Sequence, residues 1–415
     1  MKFTTTQSTK LASSLDRVLK DITTFNGDST PQLIAPGCTL GVTDRDSTVY
    51  LNSKGVRNID DPVPVTNNDS YALFSCTKSL TVMGALILYE QGKLQLDIPV
   101  STYFPEIANI GVLEPGAVDK YSGKLSKPLT TPQTPITAKH LITHTAGFSY
   151  GFISPDYFAL ITKGERIDAI NPPMEFFHKK TPLIHEPGTD WAYGHNIDWL
   201  GFVLERISEQ KLGEFLATHV FEPIGMTSCT FHKKDPSDLV RIHFRKPDET
   251  LVLLKKTPIS LDPILDLGGQ GCFGSVGDYL KFIRVWLNYG VSPDTGNRIL
   301  NESTVKFAIR NHLPDDFEFD FIGLSHNVLD EEERKNDGWT LTGNAYGSND
   351  LPTGRPKGSN YWSGVANLHF WIDFENGIGG FYAVQVLPFM DEYNIESYAR
   401  FESEVYKVLG SQSKL

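Results

Sequence analysis

The chain opens with apolar residues at helical spacing: Leu11, Leu15, Val18, Leu19 and Ile22 fall on one face of a helix predicted over 8–25. Pro31 and Pro36-Gly37 end it, and the runs 38–42 and 48–51, on either side of the turn 43–47, then read as a β-hairpin. The next pattern is different. From Leu80 through Val82, Met83, Ala85, Leu86, Ile87 and Leu88 the sequence is apolar on nearly every side of a helix, with Gly92 as its stop. A helix with no polar face belongs in the middle of the protein.

Beyond 96–100, the stretch 111–135 is rich in Pro, Gly, Thr and Lys and is expected to be a long surface loop or insertion. A short helix capped by Thr137 is predicted to run to His144 and to be ended by Gly147. The turn-rich segment 186–196 leads into a helix carrying Trp199, Leu200, Val203, Leu204 and Ile207 inward. Gly268-Gly269-Gln270-Gly271 makes a compact turn before a helix over 276–290 with Leu280, Ile283 and Leu287 on its apolar face. Strands at 367–373 and 379–387 flank 374–377, whose Asn376-Gly377 is a hairpin signal, and a closing helix covers 392–409. The order suggests one α+β unit: an antiparallel sheet from residues 1–74 and 275–415, flanked by N- and C-terminal helices, with a mainly helical segment 75–274 inserted.

Composition narrows the function without naming it. With 415 residues, 40% of them hydrophobic, the chain can bury a large core. A formal net charge of −12 argues against nucleic-acid partners and anionic membranes. No apolar run reaches the roughly 20 residues of a membrane helix, so no membrane insertion is expected. Four cysteines lack Cys-x-x-Cys spacing and the N-terminus lacks a signal core, so the cysteines are expected reduced and the protein soluble and intracellular. No cofactor or metal is expected.

The chemistry starts at Ser75-Cys76-Thr77-Lys78. Residues three apart share a helix face, so the Lys78 amine can reach the Ser75 hydroxyl, and a desolvated lysine can be neutral enough to take its proton. A helix N-terminus at Ser75 would also offer N–H groups to an oxyanion. Ser-x-x-Lys recurs at Ser208/Lys211, Ser303/Lys306 and Ser411/Lys414, but in polar stretches or the tail, where solvated pairs are expected. Two further patterns are decoys. Gly147-Phe148-Ser149-Tyr150-Gly151 fits a nucleophile elbow but lacks the strand before and helix after it. His140 and His144 lack the intervening Glu of a zinc protease, and His144 reads as a packed structural residue. Tyr193, on a fixed loop, is a core aromatic or, beside an ammonium, an acid/base.

Taken together, Ser75-x-x-Lys78, Leu96-Asp97-x-Pro99-Val100, His140-Leu141-Ile142-Thr143-His144-Thr145-x-Gly147, Pro187-Gly188 ahead of Tyr193, and Gly268-Gly269 ahead of Ser275-x-x-Asp278 resemble the class C β-lactamase and penicillin-binding-protein superfamily over roughly 35–390. Within it the chain is most similar to β-lactamase-type carboxylesterases and fungal polyketide side-chain transacylases, which also share the segment 357–365. The resemblance implies a β-lactamase/transpeptidase-like fold with Ser75, Lys78 and Tyr193 catalytic. It further implies an oxyanion held by the N–H groups of Ser75 and Val365, and a substrate site that includes Trp362, Gly364, Tyr150 and His195. Whether Lys78 or Tyr193 is the base stays open.

Two departures redirect the expected activity. The asparagine of the Tyr-x-Asn pattern is displaced to Asn196, with His195 in its place, and the Lys-Thr-Gly strand motif is replaced by Trp362-Ser363-Gly364. Losing that lysine removes the cation that helps hold a β-lactam carboxylate. The expectation is therefore a serine esterase acting on a small or medium acyl ester or thioester. The alternative is an acyltransferase to an alcohol of a secondary metabolite; a β-lactamase or D-Ala peptidase, and an inactive binding relative, rank below. The final Ser413-Lys414-Leu415 reads as a peroxisomal import address recognised by the import receptor, with the cytoplasm as the alternative location.

Overall fold

A computed structural model describes residues 3–24, 33–319 and 331–410. The N-terminal helix α1 (Thr5–Thr23) begins with a capping box: the Gln7 N–H donates to Thr4 Oγ1 (3.2 Å) and the Thr4 N–H donates to Gln7 Oε1 (2.9 Å). Its predicted face, Leu11, Leu15, Val18, Leu19 and Ile22, is buried. The hairpin follows as β1 (Gly37–Asp44) and β2 (Thr48–Gly55). Helix α2 (Thr77–Glu90) is buried at every position from Thr77 to Leu88, as its all-round apolarity requires, and Gly92 beyond it has φ +68°.

The remaining elements that position the site are α3 (Asn196–Ser208), α4 (Val276–Leu287), β3 (Gly338–Trp339), β4 (Ala345–Tyr346), β5 (Asn360–Gly364), β6 (Leu368–Asp373), β7 (Ile378–Ala383) and the closing helix α5 (Glu392–Gly410). Among the described residues they build a seven-stranded antiparallel sheet in the order β2-β1-β7-β6-β5-β4-β3. Both faces are covered. Successive residues of β6 divide between them: Phe370 meets Tyr279 of α4, while Trp371 meets Phe401 of α5. That two-sided burial explains why β1 and β7 are buried along their whole length, without the alternation of a half-exposed sheet.

Residues 75–274 are less purely helical than expected. Strands His243–Arg245 and Leu251–Leu253 form a hairpin that pairs with Val386–Leu387, and Phe273–Gly274 pairs with Tyr71–Ala72. These strands of two and three residues are too short for a period-2 pattern to show. The stretch 111–135 carries no helix or strand, only isolated bridges such as Val112↔Thr130. Four free cysteines are present, and no helix among the described residues is long and apolar enough to cross a membrane. Ser411 and the tripeptide Ser413-Lys414-Leu415 lie outside the described residues.

Candidate active site

Ser75 sits in a single 3-10 turn, Phe74–Cys76, that feeds directly into α2. Phe74 is held at φ +45°, a left-handed conformation that a bulky side chain adopts only at a cost of about 1–3 kcal/mol. The surroundings enforce it: the Leu73 N–H donates to Cys272 O (2.9 Å) and the Cys76 N–H to Leu73 O (3.0 Å). The result is selective exposure. Between Asp69 and Leu88 only Ser75 is not buried.

One helical turn on, Lys78 is fully buried. Its Nζ lies 3.2 Å from Ser75 Oγ, 3.2 Å from the Tyr150 hydroxyl and 2.8 Å from Gly269 O. The rings of Tyr193 and Tyr150 also face it, with centroids 4.6 and 5.3 Å from Nζ. Burial drives the ammonium down to about 7, against a smaller upward pull from Asp198. Near neutral pH Lys78 therefore divides between an ammonium and a free amine. As an amine it can donate to Gly269 O and Tyr150 and keep a lone pair for the Ser75 proton.

Tyr193 is hydrogen-bonded with Ser75 and receives the indole N–H of Trp362 (3.1 Å). Burial pushes its phenol up, while the bonds to Ser75 and Trp362 pull it partly back. Tyr193 therefore keeps its proton and can deliver it, which suits an acid better than a resting base. Its loop is tied down from below. The Asn196 side-chain amide donates to His144 Nδ1 (2.9 Å), Ala192 O (3.0 Å) and Phe148 O (3.2 Å), and the Ala192 N–H donates to His144 O (2.8 Å). His144, fully buried, accepts as a neutral imidazole; desolvation, with the Lys78 charge beside it, pushes it well below the ordinary range. Gly194 is required here, since a Cβ would stand 2.3 Å from Ser149 Cα.

The structure thus brings Ser75, Lys78 and Tyr193 together. Tyr150, expected at the substrate site, also has its hydroxyl on Lys78. Trp362 reaches the site through Tyr193, and β5 passes beside the turn that carries Ser75: a Cβ on Gly364 would lie 2.7 Å from Leu73 O, so only glycine lets the strand approach. Val365, partly buried, follows at the end of that strand. His195 lies beside Tyr150. Its ring packs edge-on against Tyr150, Phe176 and Phe177, and Nδ1 bonds to the buried Asp198 (2.9 Å).

Ser149 is buried in a loop, and the other described Ser-x-x-Lys pairs are local: Ser208 Oγ donates to Leu204 O and Lys306 pairs with Glu302. No group of three metal-ligating side chains occurs among the described residues. Sequence reasoning missed Asp198 and the tie from Asn196 to His144. The available signal was an acidic residue set between Ile197 and Trp199 in an otherwise apolar helix face.

This combination of fold and reactive serine defines a class, the serine hydrolases and acyltransferases built on a β-lactamase fold, and the chain is an enzyme of that class. The family model described as Beta-lactamase matches residues 26–403, and the chain belongs to that family. It is 29% identical to lovastatin esterase of Penicillium rubens over 390 residues, 86% of this chain and 91% of the esterase. It is 27% identical to monacolin J acid methylbutanoyltransferase of Aspergillus terreus over 347 residues, 80% of this chain and 81% of the transferase. A mutant form of simvastatin synthase from Aspergillus terreus shares the fold, with a TM-score of 0.75 at 24% identity over 97% of this chain and 96% of that one.

Proposed function

We propose that the chain hydrolyses small or medium acyl esters or thioesters through an acyl-Ser75 intermediate. One observation carries this: a fully buried lysine, held near a neutral pKa, lies within hydrogen-bond reach of Ser75, the one residue between Asp69 and Leu88 that is not buried. In the proposed cycle the Lys78 amine takes the Ser75 proton as Oγ attacks the carbonyl carbon. The oxyanion is stabilised by the N–H groups of Ser75 and Val365. Tyr193 protonates the leaving alcohol or thiol as the tetrahedral intermediate collapses, and is reprotonated from Lys78. Water, deprotonated in turn, then attacks the acyl-serine and regenerates the free hydroxyl.

Trp362 favours an uncharged acyl group, because its N–H supplies a neutral donor to Tyr193 at the place where penicillin-recognising relatives carry a cation. The second proposal is transfer of the acyl group to an alcohol, favoured by the likeness to a methylbutanoyltransferase over 80% of the chain. Labelling with a serine-directed fluorophosphonate tests the common core. Intact mass should show one adduct, mapping to Ser75 and absent in Ser75→Ala; an adduct that persists in that variant or maps to Ser149 would overturn the assignment. Product analysis with an acyl thioester, with and without an alcohol acceptor, then separates hydrolysis from transfer.

A further inference from the structure

We propose that Asp198, held by His195, positions Lys78 and sets its charge state through the Gly268-Gly269 turn. The inference rests on Lys78 as the base of the proposed cycle. Asp198 is fully buried in the first turn of α3 and uses both carboxylate oxygens: Oδ1 receives the Gly269 N–H (2.8 Å) and Oδ2 the His195 Nδ1–H (2.9 Å). Gly269 turns its other backbone group toward the site, and its carbonyl receives Lys78 Nζ at 2.8 Å. One residue thus links the carboxylate to the amine.

The link has no slack. A Cβ at Gly269 would stand 2.8 Å from Asp198 Oδ1, so the turn is pressed against the carboxylate. The same turn is pinned onto α2 on either side of the lysine: Thr81 Oγ1 donates to Gly268 O (2.8 Å) and the Cys272 N–H donates to Thr77 Oγ1 (3.1 Å). A shift of Asp198 would move the carbonyl that holds the amine.

Charge follows the same path. The titratable groups that face Lys78 are Cys76 at the start of its own helix, Tyr150 and His144 from the 143–150 loop, Tyr193 from the following loop, and Asp198 with its partner His195 from α3. Burial pushes the Cys76 thiol and both phenols up and His144 down, so those four are neutral near pH 7. Asp198 is then the anion that favours the protonated lysine. It acts against desolvation and holds the amine in the neutral range, where it can both lose and regain a proton.

The test is the pH dependence of fluorophosphonate labelling at Ser75, followed by intact mass. The rate should rise with pH through a midpoint near 7 in the unaltered protein. In Asp198→Asn the amide oxygen can still receive the Gly269 N–H, but the charge is gone. The midpoint should fall by about one pH unit, raising the relative rate on the acid side roughly tenfold. In His195→Phe the aromatic packing is kept and the carboxylate loses a donor, so the midpoint should move up. A merely structural role would lower both rates at every pH and leave the midpoints in place. Unmoved midpoints, or shifts of the same sign, overturn the proposal; if Asp198→Asn does not fold, an unmoved midpoint in His195→Phe suffices. Absence of Ser75 labelling in the unaltered protein would instead overturn the hydrolase assignment beneath it.

Discussion

Replacing Lys78 with methionine should abolish turnover and make the protein more stable. An amine that ordinarily titrates at 10.5 is held in the fold at about 7, and each pH unit of that difference corresponds to 1.36 kcal/mol. Below pH 7 both folded and unfolded chains carry the proton, and the folded one bears the whole cost of a buried ammonium, about 5 kcal/mol. Between about 7 and 10.5 the unfolded chain binds a proton that the folded chain has lost, so rising pH favours the fold and the cost shrinks. Methionine fills the same unbranched channel without charge but leaves Gly269 O without its donor, a loss of about 1–3 kcal/mol. The variant should therefore gain about 2–4 kcal/mol at pH 6. That corresponds to a rise in Tm of roughly 2–5 °C at the usual unfolding entropy for this chain length. By pH 9 the advantage should have fallen by about 3 kcal/mol. Urea unfolding and calorimetry at both pH values measure it. A variant less stable than the parent at pH 6, or a difference independent of pH, would refute the assignment of Lys78 as a strained, desolvated base.

Other outcomes follow from the same geometry. Simple short- or medium-chain esters should be turned over far faster than penicillins or D-alanyl peptides, by on the order of 1–3 kcal/mol in kcat/KM for the missing carboxylate-binding cation; comparable specificity constants would contradict this. Asn196→Ala should strip His144 Nδ1 and two carbonyls of a buried donor and cost about 2–4 kcal/mol, read as a drop in Tm together with a lower labelling rate at Ser75. An N-terminal fluorescent fusion should colocalise with a peroxisomal marker if the import receptor reads Ser413-Lys414-Leu415, and become diffuse on deletion of Leu415; a diffuse intact fusion would count against import.

The parts of the molecule legible from sequence were those with a long period. α1, α2, α4 and the closing helix carry apolar helical spacing over several turns, the β1–β2 hairpin carries two apolar runs about a polar turn, and Asn376-Gly377 marks the turn between β6 and β7; each appears within a few residues of its expected bounds. The pairing of Ser75 with Lys78 was legible because it is local, set by three positions on one turn. What was not legible is what comes from far away. Nothing near Tyr150 announces that its hydroxyl meets Lys78 across 72 positions, and nothing near Asp198 announces Gly269, 71 positions on. The bond from His195 to Asp198, three residues on, is local, but nothing in the sequence marks that carboxylate as buried.

The seam at Leu73 has a consequence for how activity is acquired. Ser75 is aimed by a pairing of Tyr71–Ala72 with Phe273–Gly274, the lysine by Gly269, and the turn before α2 by the Tyr279 hydroxyl on Cys76 O. Each of these joins stretches about two hundred residues apart in the chain, where loop closure is entropically expensive and comes late in folding. A nascent or nicked chain in which only the first hundred residues are ordered holds the serine and lysine on one turn but lacks the strand, carbonyl and hydroxyl that aim them. Catalytic competence should therefore appear only when the last long-range contacts close, and recovery of turnover during refolding would serve as a clock for completion of the whole molecule.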